Sequence, residues 1–378
     1  MSWPMVKLRK LVVANYGKAL KKEVRDENGD IEVFGSAGLV GFHNESLFEQ
    51  QTIVIGRKGS VGKVIWAPKG GWVIDTAYYL TVKENVVLDW RYLFYVLQNV
   101  RLDSKTITTS IPGLNRDDFY DTEIPLPPIE QQKRIAAILD KADAIRQKRK
   151  QAIALADEFL RSVFLDMFGD PVTNPKGWSR KEIKEGVSRI TSGWSAKGDS
   201  RPCGQGEVGV LKISAVTSGE FKPKENKFVE KHIIPEGKNL IFPKKGDLLF
   251  SRANTRELVA ATCIVPKDCD DVFLPDKLWN IELSSEELMP EYFHMLLQDD
   301  KFKETLTSQA TGSSGSMLNI SKQKFETTLA PFAPIDLQMK FKNIYWQLKD
   351  NAAKMKNSED YLIEQFNALS QKAFSGQL

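Results

Sequence analysis

The sequence predicts an α+β chain: two mixed α/β domains with β-rich cores, separated by two long antiparallel coiled-coil helices and related by a pseudo-twofold internal repeat. Three observations carry this prediction. The chain has 378 residues, which is too many for one ordinary core. Four blocks of its first half return in the same order in its second half. Each half also ends in a long segment of strongly helix-forming composition.

The repeat is clearest at a proline motif that closes each domain. Residues 124–139, IPLPPIEQQKRIAAIL, are echoed by residues 329–344, LAPFAPIDLQMKFKNI, with Pro128 and Gln132 matched by Pro334 and Gln338 at an offset of 206 residues. Three upstream blocks match at smaller offsets: 92–99 with 292–299, 74–82 with 275–283, and 52–64 with 247–262. Because the offset changes only upstream of the motif, we expect the insertions to lie in loops.

Each proline motif leads into a predicted helix. The segment 130–167 contains no Gly or Pro and follows Pro127-Pro128, and the segment of about 335–374 repeats it. Alternating spacings of three and four predict one coiled-coil seam on each helix. The seams run through Ile135, Ile138, Ala142, Ile145, Arg149, Ala152, Ala156, Phe159 and Val163 on the first helix, and through Leu337, Phe341, Ile344, Leu348, Asn351, Met355, Ser358, Leu362, Gln365 and Leu369 on the second. The two helices are expected to pack antiparallel on each other, and the alternative is that each docks separately on its own domain.

These segments divide the chain into a domain at 1–128, a helix at 129–168, a domain at 172–333 and a helix at 334–378. Within the domains, short β-rich runs alternate with turn signals, and a helix follows near 90–100 and near 290–306. Asn115 and Ser321 correspond in the repeat, and each is expected to N-cap a short helix that ends near Phe119 or Phe325.

Composition limits the class of protein. The formal net charge is only +4, which permits nucleic-acid binding without indicating it. The three cysteines lie in the second half without CxxC spacing, which indicates neither a disulfide framework nor a zinc site. The N-terminal residues lack an apolar signal core, and no apolar run reaches the length of a membrane span. We therefore expect a cytoplasmic protein without a metal.

Three enzyme motifs are incomplete or absent in the sequence. Residues 55–63, IGRKGSVGK, resemble a phosphate loop, but Arg57 stands where a Walker motif needs glycine. Pro275-Asp276 and Glu282 resemble a nuclease core whose lysine position is Ser284. No glycine motif for S-adenosylmethionine and no Asn-Pro-Pro-aromatic motif for base methylation is found. No catalytic residue is expected, and Asp75 and Asp276 are expected to bond backbone within each half.

The chain closely resembles the specificity subunit of type I restriction–modification enzymes along essentially its whole length. The resemblance is carried by residues 124–153, by the junction FLDMFGDPVTNPKGW at 164–178, and by the second copy PFAPIDLQMKFKNI at 331–344. The second copy departs from the family pattern, because Ala333-Pro334 replaces the Pro-Pro pair and Asp336-Leu337 replaces Glu-Gln.

The resemblance implies a non-catalytic subunit with two target recognition domains, each of which reads one half of a bipartite site in double-stranded DNA. It implies that the helices set the unread spacer and dock two methyltransferase subunits, which carry S-adenosylmethionine and methylate adenine. Translocating restriction subunits can join this complex. No cofactor is expected in this chain itself.

Candidate DNA-binding residues lie at strand–turn–strand tips, in Ser/Thr loops and at the start of the second domain (192–201), where Lys and Arg can reach phosphates and Arg and Asn can read bases. In the first domain they are Arg57, Lys58, Ser60, Lys63, Thr108, Thr109 and Ser110, and in the second they are Trp194, Lys197, Arg252, Asn254, Thr255, Arg256, Ser313 and Ser314. Two other classes stay open: a coiled-coil scaffold or adaptor that does not bind DNA, and a DNA-modifying enzyme, which the missing motifs disfavour.

Overall fold

The order of strands and helices repeats once along the chain. The structure is a computed structural model that describes residues 3–105, 113–308, 310–311 and 317–378. The first copy contains β1 (Met5–Lys7), β2 (Val12–Tyr16), β3 (Ile31–Gly35), β4 (Gly38–His43), β5 (Thr52–Gly56), β6 (Val64–Ala67), β7 (Gly71–Val73), β8 (Ala77–Val82), α1 (Trp90–Asn99), α2 (Arg116–Tyr120), β9 (Glu123–Pro125) and α3 (Ile129–Phe168).

The second copy follows the same plan. It contains β10 (Ser179–Glu182), β11 (Val187–Ser192), β12 (Val208–Leu211), β13 (Asn226–Val229), β14 (Leu248–Ser251), β15 (Ala253–Asn254), β16 (Thr262–Ile264), β17 (Val272–Phe273), β18 (Leu278–Leu283), α4 (Pro290–Gln298), α5 (Asp300–Thr307), β19 (Leu318–Asn319), α6 (Lys322–Glu326), β20 (Leu329–Phe332) and α7 (Ile335–Phe374). No helix within the described ranges has the length and apolarity to cross a lipid bilayer.

Compact packing does not follow the linear domain boundaries. Unit 1 consists of Met1–Ala152 together with Met355–Leu378, and unit 2 consists of Ile153–Lys354. Each unit therefore contains one globular domain, the half of one long helix that adjoins it, and the opposite half of the other long helix.

The sheets of the two units have the same topology. Unit 1 has a four-stranded antiparallel sheet of order β2-β8-β5-β6, a three-stranded sheet β4-β3-β7 and a pair β1-β9. Unit 2 has β11-β18-β14-β16, β13-β12-β17 and β10-β20, with an added pair β15-β19. In both three-stranded sheets the central strand pairs antiparallel with one neighbour and parallel with the other. The internal repeat is thus confirmed as a repeat of strand order.

The strand register also agrees with the sequence repeat. Ile55 of β5 faces Tyr78 of β8, and Phe250 of β14 faces Trp279 of β18. The two short helices begin at the predicted caps, since the Asn115 side chain accepts a hydrogen bond from the Asp117 amide at 3.0 Å and Ser321 accepts one from Lys324 at 3.3 Å. These caps satisfy amides that a helix start leaves free.

The two long helices run antiparallel within each unit. In unit 1 the guanidinium of Arg146 lies 5.0 Å from the Phe366 ring centroid, so the N-terminal half of α3 contacts the C-terminal half of α7. In unit 2 the ring centroids of Phe164 and Phe341 are 5.6 Å apart, and Lys349 Nζ lies 2.9 Å from an Asp157 carboxylate oxygen. Both helices are 40 residues long. The predicted helices and their direction are therefore confirmed.

Each helix pair shares its core with the domain of its unit. In unit 1, Ile135 and Leu139 of α3 lie in one buried cluster with Tyr92 of α1, and Leu369 and Phe374 of α7 pack against that cluster. In unit 2, Phe164, Phe168 and Phe341 share a buried cluster with Tyr292 of α4. The two packing alternatives are thus combined, because the helices contact both each other and a domain.

The predicted seam on α3 was wrong at two positions. The side chains of Ile145 and Phe159 are 53% and 56% exposed, whereas the following residues turn inward. Leu160 is buried, and Arg146 is partly buried with its guanidinium against Phe366 and paired with Asp143 at 2.6 Å. Arg146 and Leu160 follow Ala142 and Ala156 by four residues, whereas the predicted Ile145 and Phe159 follow them by three. At both points the seam therefore continues with a spacing of four. The other apolar seam residues on both helices are buried or half-buried, whereas the polar seam positions Asn351 and Gln365 of α7 are exposed.

One buried glutamine joins each long helix to its domain. Gln132 Oε1 accepts a hydrogen bond from the Asp89 amide at 2.9 Å, and its Nε2 donates to the Pro127 carbonyl at 2.8 Å. Gln338 does the same with the Met289 amide at 2.8 Å and the Ala333 carbonyl at 2.7 Å. Asp89 and Met289 are the N-caps of α1 and α4. The glutamine therefore fixes the start of the long helix to the start of the domain helix.

Two further bonds recur in both halves. The Tyr92 hydroxyl donates to the Pro125 carbonyl at 2.7 Å, and the Tyr292 hydroxyl donates to the Pro331 carbonyl at 2.8 Å. The indole of Trp178 donates to the Phe168 carbonyl at 2.9 Å, which ties the end of α3 to the start of the second domain. The indole of Trp3 likewise donates to the Ala373 carbonyl near the end of α7 at 3.2 Å. These bonds hold the proline motif and the helix ends in the same geometry in each copy.

We expect Gln132→Ala and Gln338→Ala each to lower the free energy of unfolding by about 1–3 kcal/mol, because each leaves a buried amide N–H and a carbonyl without partners. Chemical denaturation of the full chain measures this. Gln147→Ala, at an exposed position of α3, is the matched control and should change the free energy by less than about 0.5 kcal/mol. Equal stability of the Gln132, Gln338 and Gln147 variants would contradict the structural role of the buried amides.

Candidate nucleic-acid interface

The strand–turn–strand tip predicted in the first domain is the turn between β5 and β6. Gly56 Cα lies so close to the turn that an added Cβ would stand 2.0 Å from the Ser60 carbonyl oxygen. Gly62 has φ +74°, a conformation that favours glycine. Lys58 and Ser60 are exposed at this tip, and Lys63 donates to the Ala37 carbonyl at 2.6 Å. The turn therefore presents polar side chains on a tightly constrained backbone.

Arg57 is anchored to the fold. Its Nε and Nη2 donate to the Asp75 carbonyl oxygen at 3.2 and 2.7 Å, which ties the end of β5 to the turn before β8. An arginine held in this way has fewer donors left for DNA than a free one.

Arg252 makes the equivalent bond in unit 2. Its Nε donates to the Asp276 carbonyl oxygen at 2.8 Å, its Nη1 donates to Asn319 Oδ1 at 2.9 Å, and its Nη2 lies 3.6 Å from the Asp276 carboxylate. The expected bonds from the Asp75 and Asp276 carboxylates to backbone are not found among the described residues; the arginines instead reach the main-chain carbonyls of the two residues, and the Asp276 carboxylate accepts from the Ser195 hydroxyl. The repetition of the bond shows that these two arginines position the tips, a role that the sequence did not reveal.

The neighbouring candidates in unit 2 are more accessible. Thr255 and Arg256 are exposed, and Asn254 Oδ1 accepts a hydrogen bond from the Thr255 amide at 2.9 Å. Among the described residues, the Asn254 side-chain nitrogen donates no hydrogen bond, so it can serve as a donor to a ligand. Asn254 belongs to β15, which pairs with β19, so its backbone is held in register with Leu318. The structure thus brings Arg252, Asn254, Thr255 and Arg256 together at one tip.

The candidates at the start of the second domain differ from each other. The Trp194 ring is stacked on Phe273 with centroids 6.1 Å apart, and Lys238 Nζ lies 5.7 Å from the same ring. Trp194 is half-buried and belongs to a small core, whereas Lys197 is exposed. Thr108, Thr109, Ser110, Ser313 and Ser314 lie outside the described residues.

Unit 1 also has a cationic cluster that the sequence did not predict. The guanidinium carbons of Arg57 and Arg116 lie 5.4 and 5.0 Å from the ring centroid of Tyr16, whose side chain is 49% exposed. Both distances are typical of cation–π contacts. The Tyr16 ring meets the buried Tyr78 edge-on at 5.1 Å, and burial raises the pKa of the Tyr78 hydroxyl. Sequence separations of 41 and 100 residues from Tyr16 conceal this cluster from pattern analysis.

Apolar side chains are also exposed on the long helices. On α3 these are Ile145 in unit 1 and Leu155 and Phe159 in unit 2, each more than half exposed. On α7 Tyr361 is 59% exposed. Large exposed apolar side chains on one helix mark a candidate contact surface for another protein.

Comparison with known proteins points to one family. Residues 2–155 match the family model described as the type I restriction modification DNA specificity domain. The chain is 27% identical over 171 residues to the type I restriction enzyme EcoEI specificity subunit of Escherichia coli, a match that covers 45% of this chain and 28% of that protein. Residues 2–155 are therefore assigned to the type I restriction modification DNA specificity domain, and the chain is similar to type I specificity subunits beyond that range.

Other relatives agree with this assignment. The chain is 27% identical over 281 residues to the MjaVIII specificity subunit of Methanocaldococcus jannaschii, which covers 70% of this chain and 64% of that one. The matches to these two curated specificity subunits span less than two thirds of their lengths. The crystal structure of a type I S subunit from M. genitalium superposes with a TM-score of 0.64 at 18% identity, covering 99% of this chain and 96% of that one.

We expect Arg252→Lys to lower the free energy of unfolding by about 1–3 kcal/mol, because lysine cannot bond Asp276 and Asn319 together. Thermal denaturation measures the loss, and hydrogen exchange at Leu318 and Asn319 localises it. Arg256→Lys, at an exposed position in the same tip, is the control. An Arg252→Lys protein with unchanged stability and altered DNA specificity would refute the positioning role and make Arg252 a DNA-reading residue.

Proposed function

We propose that this specificity subunit reads a bipartite site in double-stranded DNA, with the domain of unit 1 reading one half and the domain of unit 2 reading the other. One observation carries the proposal: the two units share strand order and register, yet their tips carry different side chains. Lys58, Ser60 and Lys63 stand at the tip in unit 1, whereas Asn254, Thr255 and Arg256 stand at the tip in unit 2. One scaffold with two sets of polar tips suits recognition of two different half-sites.

The chemistry of the tips supports the same proposal. Lysine and arginine contribute affinity through phosphates, and asparagine pairs with the N6 and N7 edge of adenine. The similar proteins from Escherichia coli and Methanocaldococcus jannaschii are specificity subunits, which supports a role in recognition without catalysis. In this proposal methylation of adenine belongs to partner subunits, and S-adenosylmethionine binds to them.

Partner docking is assigned to the exposed apolar side chains of the long helices. Ile145, Leu155 and Phe159 face solvent although each could be buried by a facing protein, and aromatic and aliphatic anchors of this kind dominate protein interfaces. We propose that methyltransferase subunits cover them, and that restriction subunits join the complex through those subunits. Solved relatives include a chain from a structure titled for complex assembly of the type I R-M system, with a TM-score of 0.53 at 17% identity.

DNA reading is tested by substitution at the tip of unit 2. Asn254→Ala, with the chain co-expressed with the methyltransferase of its system, should relax one half of the methylated motif only, since a lost base contact discriminates by about 1–3 kcal/mol. Sequencing of methylated adenines reads the motif. Ser60→Ala in unit 1 is the mirror experiment and should leave the unit 2 half unchanged. A chain whose binding to DNA shows neither sequence preference nor salt dependence would instead be a scaffold.

Partner docking is tested on α3. Phe159→Ser should weaken assembly with the methyltransferase on the order of tenfold or more, because it removes a large apolar anchor from the contact. Its thermal midpoint should stay unchanged, since the side chain is 56% exposed. Lys150→Ser, also exposed on α3, is the control. Sedimentation velocity of the purified mixture measures assembly, and full assembly of the Phe159→Ser protein would exclude this residue from the interface.

A further inference from the structure

We propose that Arg57, Arg116 and Tyr16 form a phosphate clamp that holds the DNA backbone against unit 1. The inference rests on the proposed function and deepens it by assigning a sequence-independent contact to one unit. The three residues come from three elements: Tyr16 ends β2, Arg57 follows β5, and Arg116 begins α2. The fold alone brings them together.

The two positive charges of the clamp have no counterion among the described residues. Both guanidinium carbons lie within 5.4 Å of the Tyr16 ring centroid. Among the described residues, neither Arg57 nor Arg116 forms an ion pair with a carboxylate. Two positive charges beside one neutral ring repel each other, and an anion placed between them removes that repulsion. The exposed side of the cluster is therefore suited to an anion from outside the chain.

The donors favour a phosphate group. Arg116 is exposed, and within the described part of the chain its side chain makes no hydrogen bond, so its whole fork of donors is free. Arg57 is held by its two bonds to the Asp75 carbonyl, which fixes the position of its charge. The Tyr16 side chain is half exposed, and tyrosine hydroxyls are frequent donors to DNA phosphates. A single bidentate arginine satisfies a guanine edge, whereas a phosphate can accept from several donors at once.

The described residues of unit 2 form no equivalent clamp. Ser192 takes the place of Tyr16 in the strand register, opposite Trp279 instead of Tyr78. Arg252, equivalent to Arg57, lies 3.6 Å from the Asp276 carboxylate. Lys322, equivalent to Arg116, lies 3.7 Å from Glu326. The same positions therefore carry compensated charges in unit 2, which makes Lys322 a matched control.

The test uses the full chain in complex with its methyltransferase subunits. Binding constants are measured from about 50 to 300 mM salt for a duplex that carries the methylated motif and for a scrambled duplex. Arg116→Ala should weaken binding to both duplexes by a similar factor, on the order of tenfold, and reduce the slope of log K against log salt by about one. The methylated motif should stay the same, and Arg116→Lys should recover most of the slope.

Lys322→Ala should leave the salt slope and both binding constants unchanged. Binding and slope that are unaltered by Arg116→Ala would overturn the clamp, and so would an altered motif with an unaltered slope, which would make Arg116 a base reader. A thermal midpoint equal to that of the unsubstituted chain verifies folding, and Arg116→Gln provides a second neutral variant with the same expected loss. If the unsubstituted complex does not distinguish the two duplexes, the proposed function fails, whereas the clamp is judged by the slope alone.

Discussion

In each half of the molecule, a buried glutamine amide bonds the N-cap of a domain helix on one side and the carbonyl just before a long helix on the other. This connection ties the start of a 40-residue helix to the start of a domain helix, and so restricts the angle at which the long helix leaves the domain. A long helix amplifies any change of angle at its base. The glutamine is buried in both copies, where a missing partner would be costly, so the joint has one favoured geometry.

The two units share one topology but differ in the charges around their tips. Arg57 and Arg252 anchor equivalent tips through the same kind of bond to a backbone carbonyl. Around that anchor, unit 1 leaves positive charge uncompensated beside an exposed tyrosine, whereas unit 2 places carboxylates next to its cations. This difference would give the two units different roles on DNA. Unit 1 would hold the phosphate backbone of the DNA, whereas unit 2 would depend more on side chains that contact base edges.

Much of the fold could be predicted from the sequence because its strongest signals are local or repeated. Proline, the absence of glycine and a helix-forming composition locate α3 and α7 to within about a residue, and the repeat gives the strand order. The seam of α3 was harder to predict, because at two points a choice had to be made between adjacent residues: Ile145 or Arg146, and Phe159 or Leu160. Apolarity favoured Ile145, but the guanidinium of Arg146 lies against the Phe366 ring, and nothing local distinguishes Phe159 from Leu160.

The site was less predictable for a different physical reason. The partner of Arg57 is a backbone carbonyl, and a backbone atom carries no sequence signal. The partner of Arg116 is a ring contributed by a strand 100 residues away, which only the folded sheet brings near. Sequence could therefore identify which turns carry polar residues, but it could not separate the residues that build a turn from those that face outward.

The recurring bonds depend mainly on main-chain acceptors, and this affects how the protein can evolve. Tyr92, Tyr292 and Trp178 all donate to main-chain carbonyls, and the two glutamines bond only main-chain groups. A main-chain carbonyl is present whichever side chain its residue carries. Substitutions can therefore accumulate around the joint without removing an acceptor, and the domains can drift toward new sequence preferences while the frame that carries them is inherited unchanged.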